Sequence, residues 1–150
     1  MFISPQENSP IYPLTSKLPA FKRFRASLSE IIERLVLAAA ELGSLYTSNL
    51  ITTLQTWVIA MSSSQIRSFR HTATVVALEV ETALCQVAAT VEKEAEILSR
   101  QREGERKRKA VNKSTAVRAK DLDSKAAEIR KRRSILAEYL KEIVDGCATF

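Results

Sequence analysis

The sequence predicts an all-α fold, a helix pair leading into a long antiparallel helical hairpin. Three observations predict it. The four prolines, Pro5, Pro10, Pro13 and Pro19, all lie before residue 20, and only three glycines are found among the 150 residues. Beyond residue 20 the chain is therefore nearly free of helix breakers. Apolar residues then recur three or four apart, the period of a helix face. Val and Ile occur at that same spacing, so the period of two that marks a strand is missing.

Residues 1–18 hold three of the prolines among Ser, Thr, Asn and Gln. The residue before each proline is pushed toward extended backbone. An extended or disordered arm is expected, which Phe2, Ile3, Ile11, Tyr12 and Leu14 could anchor. The helical unit then spans residues 19–150. Pro19 suits a first helical turn. Phe21, Phe24, Leu28, Ile31, Leu35, Ala38 and Leu42 repeat at helical spacing, and Gly43 reads as a C-terminal cap. Residues 45–61 form a shorter helix around Leu45, Leu50, Ile51, Leu54, Trp57, Val58 and Met61, with Trp57 read as a core anchor. Two helices joined by a short turn make a helix pair over about residues 19–61.

The stretch that organises the chain is residues 62–113. Ser62 and Gln65 stand at capping-box spacing. Ile66, Phe69, Ala73, Val76, Val80, Leu84, Val87, Val91, Ala95 and Leu98 then fall on one face. Some forty helical residues span roughly 60 Å, longer than a small domain is wide. One end therefore belongs in a core and the other in solvent. Asn112, Ser114 and Thr115 suit a reversal within residues 112–121. Leu122, Ala126, Ile129, Leu136, Leu140 and Ile143 define a returning helix whose heptad-like stripe is interrupted near Arg133 and which Gly146 ends. Matching stripes make an antiparallel hairpin over about residues 62–146, its register open.

The formal net charge of +6 is unevenly placed. Residues 1–99 carry 8 Lys/Arg against 9 Asp/Glu, residues 100–133 carry 14 against 5, and residues 134–150 carry 1 against 3. The whole excess sits at the outer end of the hairpin, as an electrostatic footprint for a polyanion would. Lys22, Arg23 and Arg25 make a smaller cluster at the start of the first helix; it reads as an exposed turn, the alternative being a bound phosphate that relieves their opposition to the helix dipole.

Cys85 and Cys147 lack metal-ligand spacing and read as buried or inert thiols rather than a disulfide. His71 is the only histidine and reads as structural. No Gly-rich phosphate loop, paired catalytic carboxylates or nucleophile constellation appears, so an enzyme, a cofactor or a small-molecule substrate is not expected. The uncharged interval between Glu41 and Arg67 is too rich in Ser, Thr, Asn and Gln to span a membrane. The N-terminus has no signal-peptide pattern. The apolar end Cys147-Ala148-Thr149-Phe150, straight after a cap, reads as a cut through a larger protein.

The segments Tyr46-Thr47-Ser48-Asn49-Leu50-Ile51, Ser64-Gln65-Ile66-Arg67-Ser68-Phe69-Arg70-His71-Thr72-Ala73-Thr74 and Ala77-Leu78-Glu79-Val80-Glu81-Thr82-Ala83-Leu84 resemble the stromal antigen (STAG) family of cohesin subunits. The basic linker and returning helix resemble it in character and position. The resemblance implies the N-terminal part of an α-solenoid built of HEAT-like helical pairs, in a nuclear, chromosome-bound protein. It further implies a role in sister-chromatid cohesion, partnership with the kleisin and SMC subunits and the cohesin loader, and DNA contact through basic surfaces. The family's kleisin contact lies mainly in later repeats. The motif residues 64–74 read as packing residues, with Arg67 and Arg70 as the exceptions to watch.

Charge and resemblance together point to double-stranded DNA held without sequence reading. Lys and Arg would contact phosphates and release counterions. Few aromatic residues interleave the basic runs, which disfavours stacking on single strands. The expected contacts are Arg106, Lys107, Arg108, Lys109 and Lys113, then Arg130, Lys131, Arg132 and Arg133, then Lys120. The competing expectation is a protein-docking module for a loader, regulator or kleisin, with little DNA binding of its own.

Overall fold

A computed structural model describes residues 11–109 and 116–148. It is all-α: helix α1 spans Phe24–Glu41, α2 Leu50–Ser62, α3 Arg67–Lys109 and α4 Ala116–Ala148. Short 3-10 turns at Pro19–Phe21 and Ser44–Tyr46 precede α1 and α2. At about 1.5 Å per residue, the 43 residues of α3 make a rod of roughly 65 Å. Residues 1–10 of the expected arm and the reversal at residues 110–115 lie outside the described residues.

Gly43 lies in the left-handed region at φ 74°. It ends α1 where a side chain would be strained. The chain then turns through Ser44–Tyr46 and drives Leu45, fully buried, against the hairpin. The Tyr139 hydroxyl donates to the Leu45 carbonyl at 3.3 Å, and the Arg132 guanidinium lies 5.2 Å from the centre of the Tyr46 ring. The turn between α1 and α2 is thus docked on α4. Tyr46's phenol is held above its ordinary value mainly by burial, with the Arg132 charge pulling the other way.

α1 and α3 run side by side in the same direction. Ser29 Oγ donates to Glu79 Oε1 at 2.7 Å, and Gln86 Nε2 donates to Glu33 Oε1 at 3.1 Å. α2 and α4 close the other side, where Gln55 Nε2 donates to the Tyr139 carbonyl at 2.9 Å. A Cβ on Gly146 would stand 2.5 Å from Ile59 Cδ1, so a glycine lets these two helices approach. Val36, Leu45, Ile51, Val80, Leu84 and Leu136 are the largest fully buried side chains. One stretch of α3 is long and apolar enough to cross a membrane. Here its Ala73, Ala77, Val80 and Leu84 are buried in a core shared with α1, α2 and α4.

Several local expectations are corrected. α3 begins at Arg67, not Ser62, which ends α2. Ser64 makes the turn instead, its Oγ accepting from the Ile66 N–H at 3.2 Å. Ile66 and Phe69 are about half exposed, so the buried stripe starts at Ala73. In α1 the buried residues are Ile32, Val36 and Ala39, one position round from the expected stripe, and Phe24, Ile31, Leu35 and Leu42 face solvent. Trp57 is 65% exposed rather than a core anchor, and Cys85 is an exposed free thiol. Gly146 lies inside α4, which runs on to Ala148.

Candidate nucleic-acid interface

Beyond Val91 the hairpin is mainly α3 against α4, with Tyr46 of the preceding turn still lying against Arg132. Its seam is thin: Leu98, Leu122 and Ala126 are buried there, with Ile129 packed beside them. Two ion pairs cross it. Arg133 donates from Nε and a terminal nitrogen to the two oxygens of Glu92 at 2.6 and 2.7 Å, and Arg102 donates to Asp123 at 2.5 Å. Both pairs are centred on the connection between the helices, which is the signature of one antiparallel register. Arg133 stands where the heptad stripe of α4 would place an apolar residue, and its partner is an acid on the opposite helix. The interruption seen in the sequence is therefore a register-setting pair.

The same pairing divides the expected contact residues. Lys107 lies 3.7 Å from Glu103, and Arg132 lies 3.2 Å from Glu128. Arg133 is held by Glu92. Arg106, Lys120, Arg130 and Lys131 have no ion pair among the described residues and are exposed. α3 carries Arg108 and Lys109 in its last turn, and Lys113 lies outside the described residues. Residues on the two helices meet in one open groove of about 760 Å³, lined by Arg102 and Arg106 from α3 and by Arg130 and Arg133 from α4 over Leu98 and Leu122. Lys120 and Lys131, three turns apart, share one face of α4.

The opposite flank differs. Its groove, about 290 Å³, exposes Ile97 beside Leu98 and Ile129, with Glu94, Lys125 and Arg132 at the rim. Lys125 and Arg132 are already paired there with Asp121 and Glu128. Among the described residues, the rod's arginines without an ion pair, Arg106 and Arg130, both line the first groove, which Glu103, Glu105 and Asp123 also line. Paired acids lower the attraction for a polyanion because each cation they hold must be freed or shared.

Arg70 acts locally, donating to the carbonyls of Ser64 and Gln65 at 2.7 and 3.0 Å and fixing the turn into α3. The Arg67 side chain has no ion pair or hydrogen bond among the described residues. His71 is structural in part, its Nδ1 lying 3.0 Å from the Tyr12 hydroxyl. Among the described residues no group of three His, Cys, Asp or Glu side chains could hold a metal ion. Sequence reading missed Glu92 and Asp123 as partners of the basic residues. Their signal is acids mirrored across the reversal from Arg133 and Arg102.

Residues 10–125 match the family model of the STAG domain. The chain is 37% identical to the cohesin subunit psc3 of Schizosaccharomyces pombe over 90% of its length, which is 14% of that relative. It is 31% identical to cohesin subunit SA-1 of Xenopus laevis and to cohesin subunit SA-3 of Mus musculus, in each case over 93% of this chain and 11% of the relative. The chain therefore spans about a seventh or less of the length of these relatives.

Proposed function

The chain belongs to the STAG-domain family, and from that premise we propose that it is a non-catalytic part of a cohesin subunit that grips double-stranded DNA without reading its sequence. In this reading it supports sister-chromatid cohesion and chromosome organisation in the nucleus, alongside the kleisin and SMC subunits and the cohesin loader. The observation that carries the DNA reading is one groove holding an unpaired arginine from each helix, Arg106 and Arg130. Lys120 and Lys131 add positive charge on the adjacent outer face of α4, and Arg108, Lys109 and Lys113 add to the positive charge in sequence. Guanidinium groups bind phosphate oxygens through two parallel N–H donors. A helical rod on which Lys and Arg outnumber Asp and Glu, with no base-reading motif, suits a sequence-independent grip. Lys107, Arg132 and Arg133 contribute less, because acids already hold them.

The test is a duplex-DNA titration of the 150-residue chain across salt concentrations. If about five phosphates are neutralised, log affinity falls against log salt with a slope of roughly −4 to −5. A slope near zero, or equal affinity for a duplex and an uncharged polymer, contradicts the reading.

A second reading, a docking module for another cohesin component, is favoured by a different observation. Phe24, Ile31, Leu35 and Leu42 leave an apolar stripe of α1 open to solvent. Such stripes mark protein contacts. Capture of a partner that survives reversal of Arg106 and Arg130 but fails with Ile31→Asp supports it.

A further inference from the structure

A cavity of about 640 Å³ at the start of α3 is lined by Tyr12, Thr15, Arg67, Ser68 and His71. It has no part in the DNA reading. About sixty ångströms of helix separate Arg67 from Arg106, so the two places cannot serve one phosphate. We propose that this cavity binds the phosphate of a phosphorylated side chain on a protein partner.

The argument starts from donors. Arg67 is exposed and holds no acid among the described residues, whereas Arg70, three residues on, is spent on the Ser64 and Gln65 carbonyls. His71 is oriented from behind. Its Nδ1 is 3.0 Å from the Tyr12 hydroxyl, which is 2.9 Å from Thr72 Oγ1. Thr72 Oγ1 in turn donates to the Ser68 carbonyl at 2.8 Å. The Tyr12 hydroxyl also lies 3.3 Å from the Ser68 carbonyl, so these groups fix the ring through its Nδ1 side. Nε2 has no partner among the described residues, and an N–H there is free to donate to a ligand. A guanidinium, an imidazole N–H and the Thr15 hydroxyl are the donor set that a phosphate monoester takes.

The surroundings choose between phosphate sources. A duplex needs a line of cations, yet residues 1–99 carry more acids than bases. A single phosphate in a near-neutral region suits a peptide. Exposed Ile11 lies beside Tyr12 in sequence, and exposed Leu78 lies two turns beyond His71 on the same side of α3. Both offer contact to side chains flanking a phosphorylated residue, which a sugar-phosphate backbone lacks.

The test is an NMR titration of the whole 150-residue chain with a phosphoserine peptide flanked by leucines. Its unphosphorylated counterpart and a short DNA duplex serve as the other arms. His71 is the only histidine, so its ring gives one unambiguous signal. The expected result is a saturable shift of that ring and of the Ser68 amide with the phosphopeptide. Arg67→Ala should weaken it roughly tenfold or more, the loss of a charge-assisted hydrogen bond. The double variant Arg106→Glu, Arg130→Glu should leave it unchanged while removing DNA binding. An absent or unsaturable shift, unchanged affinity in Arg67→Ala, equal affinity for the unphosphorylated peptide, or the duplex moving the same signals more strongly would each overturn the proposal.

Discussion

Along the same two helices, the half of the hairpin beside α1 and α2 buries Val80, Leu84, Val87, Leu136 and Ile143, whereas the half beyond Val91 buries Leu98, Leu122 and Ala126. The inner half is covered by other helices and gains its stability from apolar area removed from water. The outer half has one thin seam, and cross-helix ion pairs choose its register. Exposed pairs of that kind contribute only about 0–1 kcal/mol each, so they specify geometry more than they stabilise. The difference teaches how the fold frees charge for use. A rod anchored at one end can keep cations in solvent at the other.

Removing buried volume should separate the halves most clearly. Leu84 is fully buried among helices, and Leu84→Ala should cost about 3 kcal/mol, the usual range for a core leucine. Leu98→Ala in the thin seam should cost about 2 kcal/mol or less, because two helices with open sides can close on the gap. Urea unfolding of both variants measures this. Equal losses would mean that the outer seam is as firmly packed as the inner core.

Breaking the register pair is a smaller change with a distinctive sign. Glu92→Gln removes the partner of Arg133 and should cost less than about 1 kcal/mol, less still at high salt. It also frees a cation. DNA binding should then tighten, with the salt slope steeper by up to roughly 0.9. Weakened binding would mean that register, rather than available charge, limits the contact.

The smallest effect belongs to Glu81 in the inner half. Burial holds its carboxyl above the ordinary value, and Oε2 has no hydrogen-bond partner. A raised carboxyl favours the protonated folded state. Its stabilising contribution is present below the unfolded value and is lost as pH rises through the folded one. Glu81→Gln should therefore raise the melting temperature slightly at pH 7, and the gain should shrink as pH falls toward 4.5, the ordinary value for this carboxyl. A gain independent of pH would assign the effect to packing instead.

Much of the architecture is legible in the sequence. Scarce breakers and apolar spacing foretell an all-α chain with a long paired rod, and Gly43 is recognisable as a turn residue from its place after the last periodic position. Helix phase is less legible. α1 carries apolar residues at both 31 and 32 and both 35 and 36, so spacing alone leaves the buried face open, and contact with α3 decides it. Trp57 defeats the sequence reading for a related reason: α2 is apolar on most sides, and only Ile51, Gln55 and Val58 are buried. The basic residues are legible as a cluster, but their pairing is not. Whether Lys107 or Arg106 keeps its charge free depends on which residues stand a turn away and across the seam. Charge counting ignores both.

The most direct measurement compares two double reversals on the same hairpin in duplex-DNA titrations at low and moderate salt. One variant is Arg106→Glu with Arg130→Glu, and the other is Lys107→Glu with Arg132→Glu. Both change the net charge equally. The account predicts that the first weakens binding at least tenfold more than the second and flattens the salt slope by about 2. Equal losses would show that only total charge matters and that the groove between the two arginines has no special part.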